Sequence, residues 1–142
     1  MKKYVILNFV CDFVSRKEAV MDRIDLQHDV LKQLISYSEN LIPALQGLIK
    51  EMRTDKKEDT GEYLNEVITG INWEIEVYNQ CADIINERSS YIDKKTMITA
   101  VKNLGITLSS GDYTLVANCL EEDFLPFLNK LTLVAKMIVF DN

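Results

Sequence analysis

At 142 residues, with 47% hydrophobic and 27% charged side chains, the chain has the length and balance of one soluble globular domain. Its net charge of −6, with no lysine- or arginine-rich stripe interleaved with aromatics, argues against a nucleic-acid partner, because an acidic surface repels a phosphate backbone. Two prolines and five glycines are too few for a turn-rich β fold. No run approaches the roughly 18 apolar residues that span a bilayer, so no membrane segment is expected.

Residues 1–21 differ in character from the rest. They carry +2, from Lys2, Lys3, Arg16 and Lys17 against Asp12 and Glu18, which leaves −8 for the remainder. The apolar run from Tyr4 to Val10 is short, is interrupted by Asn8, and is followed by no small-residue cleavage site, so it is a poor secretion signal. It is expected to be an N-terminal extension, docked on the main body as a short strand or helix. The alternative is an upstream addition to a chain that naturally starts at Met21. Residues 22–142 are expected to form the helical bundle domain.

From Asp22 to about Arg53 the apolar residues keep a helical period. Leu31, Leu34, Leu41, Leu45, Leu48 and Met52 follow a 3-4 spacing, Ser38 fills the one polar slot, and Val30, Ile35, Ile42 and Ile49 widen the stripe. Pro43 lies inside this helix, where it removes a backbone donor and predicts a kink. Lys50 to Glu62 then holds one apolar residue in thirteen and marks a break. Asp59 and Glu62 have the spacing of a capping box for the next helix.

That second helix is expected from about Thr60 to Glu87, with Leu64, Ile68, Ile71, Ile75, Tyr78, Ala82 and Ile85 as its buried seam. Glu74 and Glu76 flank this seam and are expected to face solvent. Gly70 costs about 1 kcal/mol relative to alanine and either admits a close helix approach or is neutral. Trp73 sits at the edge of the stripe. Arg88 to Asp93 connects to a shorter helix capped by Asp93, with Met97, Val101, Leu104 and Leu108 in register. Ser109, Ser110, Gly111 and Asp112 supply a stop and a new cap. The last helix runs from Tyr113 to about Phe140 through Val116, Leu120, Phe124, Phe127, Leu131, Val134 and Ile138, bent at Pro126. The fold class is therefore all-α, an antiparallel helical bundle of about four helices.

Glu39 to Leu48 and Glu122 to Leu131 are locally alike. Each reads acid, amide or acid, two apolar residues, proline, then an apolar pattern. The likeness is too short for a repeat unit and predicts only two similarly bent helices side by side. Freed carbonyls at Glu39 and Glu122 could there open a shallow groove to a partner.

Candidates for chemistry are few. Cys11, Cys81 and Cys119 are odd in number and far apart, which fits small buried side chains in a reducing, cytoplasmic compartment better than disulfides. His28 is the one histidine, so neither a metal site nor a histidine-dependent triad has support. Arg23 and His28 have R-x4-H spacing, which resembles the motif of helical ribonucleases of toxin type. Glu121, Glu122 and Asp123 are consecutive, so their carboxylates cannot converge on one helix face. No cofactor, metal or catalytic set is assigned.

The stretch Gly111-Asp112-Tyr113-Thr114-Leu115-Val116-Ala117-Asn118-Cys119-Leu120-Glu121-Glu122-Asp123-Phe124-Leu125-Pro126, together with Gly70-Ile71-Asn72-Trp73, resembles segments of an uncharacterised family of small helical proteins from Firmicutes. The resemblance covers about residues 26–135 and implies structure rather than chemistry. The leading expectation is a non-enzymatic protein-protein interaction, adaptor or chaperone-like bundle with a protein partner. The alternatives are a ribonuclease using Arg23 and His28, and a structural homo-oligomer or homodimer whose seam continues across chains.

Overall fold

The helical periods of the sequence are realised almost end to end. The computed structural model describes residues 23–54, 56–88 and 92–140. Helix α1 spans Arg23–Thr54, α2 Thr60–Gln80, α3 Ala82–Arg88, α4 Lys94–Ser110 and α5 Tyr113–Cys119. A π-helical turn, Leu120–Phe124, leads directly into α6, Leu125–Phe140. The described residues contain no strand, and the fold is all-α. The expectations for residues 1–21 lie outside the described residues.

Side-chain pairs fix the topology. Gln27 meets Asp83, Ser38 meets Glu74, Ala44 meets Tyr63 and Glu51 meets Thr60, so α2 and α3 run antiparallel to α1. Arg53 Nη2 donates to Asn118 Oδ1 at 2.7 Å and to Glu121 Oε1 at 3.0 Å, tying the end of α1 to the start of the last helical run. His28 lies level with Ile138 at the other end, so that run is also antiparallel to α1. Helix α4 folds back on α5 through the turn at Gly111 and Asp112. Gly111 takes a φ of 72°, the left-handed conformation that ends a helix and strains any residue with a Cβ. Asp112 then caps α5, accepting from the backbone N–H of Thr114 at 2.9 Å, and Asp93 caps α4 through Lys95 N–H at 3.0 Å. The order is up, down, up, down.

Helix α1 is the axis on which α2, α5 and α6 pack. Its predicted stripe is buried, with Ser38 in the predicted polar slot and Ile42, at the edge, only half-buried. Each leucine so placed contributes about 1.5–3 kcal/mol by leaving water. The helix passes through Pro43 without a break. In the last helical run, Pro126 follows the π-turn, where Leu125 N–H reaches back five residues to the Leu120 carbonyl. The wider turn absorbs the register change beside a residue that has no donor.

The second expected helix needs three corrections. Its seam is Thr60, Leu64, Val67, Ile71, Glu74, Tyr78, Cys81 and Ile85, while Ile68, Ile75 and Ala82 sit at the flanks. The stripe is thus rotated toward Val67 and Val77, and Glu74 lies inside the core instead of facing solvent; Glu76 is exposed as expected. The helix also divides at Cys81, whose N–H is shared between the Val77 and Tyr78 carbonyls, and the buried Gln27 amide captures the Gln80 carbonyl at 3.2 Å. Finally, the Asp59 side chain makes no cap bond. Thr60 organises the turn instead, accepting from Lys57 N–H and donating to Glu51 Oε2, both at 2.7 Å.

Gly70 admits a close approach. A Cβ there would lie 2.5 Å from the Tyr37 hydroxyl oxygen and 2.9 Å from Leu41 Cδ1. Tyr37 in turn stands edge-on to Trp73, with ring centroids 5.3 Å apart.

Candidate interaction face

Helix α4 carries two apolar stripes, and its own chain uses one. Met97, Ala100 and Leu104 are buried against α5 and the π-turn. Ile98, Val101, Gly105 and Leu108 form a second line with 3-4-3 spacing, and Lys94, Lys95 and Lys102 lie within one turn of Ile98. Ile98, Val101 and Leu108 are 53%, 45% and 38% exposed. This corrects the single expected register, in which Val101 and Leu108 were to be buried with Met97 and Leu104. Beyond the turn, Leu115 of α5 is also exposed. A Cβ added at Gly105 would meet no atom of the described residues within 4 Å, so the middle of the line is open.

The charge of this helix is unlike that of the chain. Residues 94–110 hold Lys94, Lys95 and Lys102 and no acid, within a protein of net charge −6. Lys95 and Lys102 are seven residues apart and share one edge of the exposed line, while Lys94 lies one turn before Ile98. Nearby, Lys56 lies over the ring of Tyr113, 5.8 Å from its centroid.

The residues singled out for chemistry lie at the far end of the bundle. His28 lines a cleft of about 370 Å³ with Ile24, Gln27, Asp83, Ile84, Glu87 and Ile138. Arg23 pairs with Asp83 at 3.4 Å and lines a separate hollow beside Cys81, so the cleft does not bring Arg23 and His28 to one wall. Five residues of helix rotate them about 140° apart. The Asp83 carboxyl is held below its ordinary range, first by the Gln27 amide at 2.9 Å and also by Arg23. No group of three or more metal-ligating side chains gathers among the described residues.

The two prolines line different grooves. Pro43 borders one of about 500 Å³ between α1 and α6, with Glu39, Ile42 and Leu133. Pro126 borders another of about 300 Å³ facing the start of α4, with Met97 and Lys130. The two helices do pack together, but the grooves open on separate sides. Glu121 and Glu122 are exposed and spread around the π-turn, and Glu121 is held by Arg53, which lowers its pKa.

Two buried features bear on reactivity. Cys81 and Cys119 are buried free thiols, pushed up to about 12 and about 11 chiefly by desolvation, which keeps both protonated and unreactive. Cys11 lies outside the described residues. Glu74, fully buried, accepts a 2.8 Å bond from Ser38 Oγ, and its Oε1 has no hydrogen-bond partner among the described residues. Burial drives its pKa up to about 8, so the core holds a carboxylic acid rather than a carboxylate at neutral pH.

Sequence reasoning passed over Ile98 as a surface residue with a purpose. The signal was present in the spacing of Ile98, Val101, Gly105 and Leu108 and in the absence of any acid from the same helix. A family described as a domain of unknown function (DUF8042) matches residues 29–133. The chain belongs to this family. The matched span begins in the second turn of α1 and ends in α6, taking in α4 and α5 whole. It agrees with the resemblance to an uncharacterised helical family noted over residues 26–135. No curated protein and no solved structure matches the chain. No helix among the described residues is long and apolar enough to cross a membrane.

Proposed function

We propose that this chain is a non-enzymatic protein-interaction module, adaptor- or chaperone-like in kind, that engages a protein partner through the exposed face of α4 and α5. One observation carries the reading. Of the eight large apolar residues exposed in the described chain, Ile98, Val101, Ile106, Leu108 and Leu115 lie on this hairpin, and three of them continue a heptad-like line. Of the other three, Ile24 stands at the start of α1, and Leu133 and Phe140 lie on α6. A reducing, cytoplasmic setting is in keeping with two free cysteines that remain buried and protonated.

The test replaces the line without touching the core. The triple variant Ile98→Ser, Val101→Ser, Leu108→Ser is expected to keep its helical circular dichroism and to lose the partners that the unaltered chain captures in its native host. Equal capture by both forms contradicts the reading.

A further inference from the structure

The occupant of the α4 face can be stated more narrowly by charge, on the reading that this face is a docking surface. We infer that it receives an amphipathic helix whose apolar stripe is flanked by acidic residues. Ile98, Val101, Gly105 and Leu108 occupy alternating core positions of a two-helix seam, and they span eleven residues, about 15 Å of helix axis. An incoming helix would meet them with anchors at i, i+3 or i+4, and i+7. Gly105 leaves the centre of the seam shallow, so a large side chain of the partner fits there.

The edge of the seam sets the sign. Lys95 and Lys102 stand where a paired helix places its flanking charges, and no acid on α4 offsets them. The opposite edge is closed by Met97 and Leu104, which are buried in the chain's own core. A second copy of α4 laid antiparallel on this line brings lysine against lysine. Laid parallel, it brings lysine against apolar positions. Self-pairing therefore leaves the lysines without partners, whereas glutamate or aspartate on a foreign helix pairs with each of them. The N-terminal residues 1–21, with a charge of +2, also lack the complementary sign. Ile106 lies about 80° around the helix from Ile98, away from Val101 and Leu108, and takes no part.

The experiment uses the full chain and two synthetic helical peptides of 21 residues. Both have leucine at the two core positions of each heptad. One has glutamate at the flanking positions, and the other has lysine. Binding is followed by fluorescence anisotropy of the labelled peptide and by amide shifts in α4, with the chain's own oligomeric state measured alongside. The glutamate peptide is expected to bind about tenfold or more tightly than the lysine peptide and to weaken as salt is raised. The double variant Lys95→Glu, Lys102→Glu is expected to reverse that order. The double variant Ile98→Ser, Val101→Ser is expected to abolish binding while retaining helical circular dichroism.

Equal binding of both peptides, lost in the serine variant, overturns the acidic-helix assignment and leaves the docking face standing. Binding of neither peptide, or binding that survives the serine variant, overturns the docking reading itself. Self-association of the chain that the serine variant abolishes would make the occupant a second copy and overturn the foreign helix.

Discussion

The α1–α2 interface and the α4–α5 hairpin solve opposite problems. Between α1 and α2 the chain buries a carboxylic acid, a serine and a glycine where a simple seam would hold aliphatic side chains. On α4 it leaves isoleucine, valine and leucine in water where a simple surface would hold polar ones. Both regions depart from the rule of apolar inside and polar outside, and they depart in opposite directions. The fold answers the first departure with the Ser38 bond to one Glu74 oxygen, the uptake of a proton by that buried acid, and the Tyr37 approach to Gly70. The second finds nothing in the described chain to absorb it. A polar residue in a core can be satisfied locally, but an apolar line on a surface needs something outside itself.

The largest effect expected from this contrast is a pH dependence of stability. Glu74 has an unfolded pKa near its ordinary value of 4.5 and a folded pKa of about 8. Between those values the folded state holds a proton that the unfolded state has released. The contribution of Glu74 to stability is therefore greatest below about 4.5, falls as pH rises toward 8, and is level above it. The full span corresponds to a loss on the order of 5 kcal/mol. Chemical denaturation from pH 5 to 9 should show this slope for the unaltered chain and lose it for Glu74→Gln, which keeps an acceptor for Ser38. Identical slopes would place Glu74 in contact with water.

Next in size is a substitution whose sign should invert between the two regions. Gly70→Ala drives a methyl group into Tyr37 and Leu41, and overpacking of this kind costs about 1–3 kcal/mol despite the better helix propensity. Trimming the hydroxyl with Tyr37→Phe should recover part of the loss in a double-mutant cycle. Gly105→Ala meets open space, so it should gain up to about 1 kcal/mol. Thermal melts of the three variants sharpen the contrast, and a gain at Gly70 would remove the close approach from the account. Asp112→Ala is expected to cost about 1 kcal/mol by uncapping α5 and to leave the α1–α2 interface unaffected.

Legibility in the sequence followed the same division. The α1 stripe could be read directly because leucine recurs along its centre, from Leu31 and Leu34 through Leu41, Leu45 and Leu48, and Ser38 is small enough for its place to be inferred from spacing; the buried Gln27 and Tyr37 beside it are polar-tipped and gave no such signal. The α2 stripe misled because Ile68 and Ile75 are more hydrophobic than Thr60, Glu74 and Cys81, whose positions the packing buries. Hydrophobicity ranks single residues, but burial is decided by which rotation of the helix fits α1. Asp93, Gly111 and Asp112 announced their roles because caps are local chemistry. Asp59 did not fulfil its spacing because Thr60 found Glu51 across the turn, a contact between helices. Pro126 signalled a bend, while the π-turn that accommodates it depends on how α4 and α1 hold the same segment. On α4 two adjacent stripes were merged into one, and separating them required knowing which side α5 covers.

The most direct test of the central claim, that the α4 line lies open in the free chain, is the thermal stability of Ile98→Ser, Val101→Ser, Leu108→Ser beside Leu45→Ala. An exposed line predicts a change within about 1.5 kcal/mol for the triple variant, since surface substitutions away from special features stay near ±0.5 kcal/mol each. Leu45→Ala, in the core of α1, should lose about 2–5 kcal/mol. A loss in the triple variant as large as that of Leu45→Ala would contradict the claim, because it would mean that the line is already covered within the chain itself.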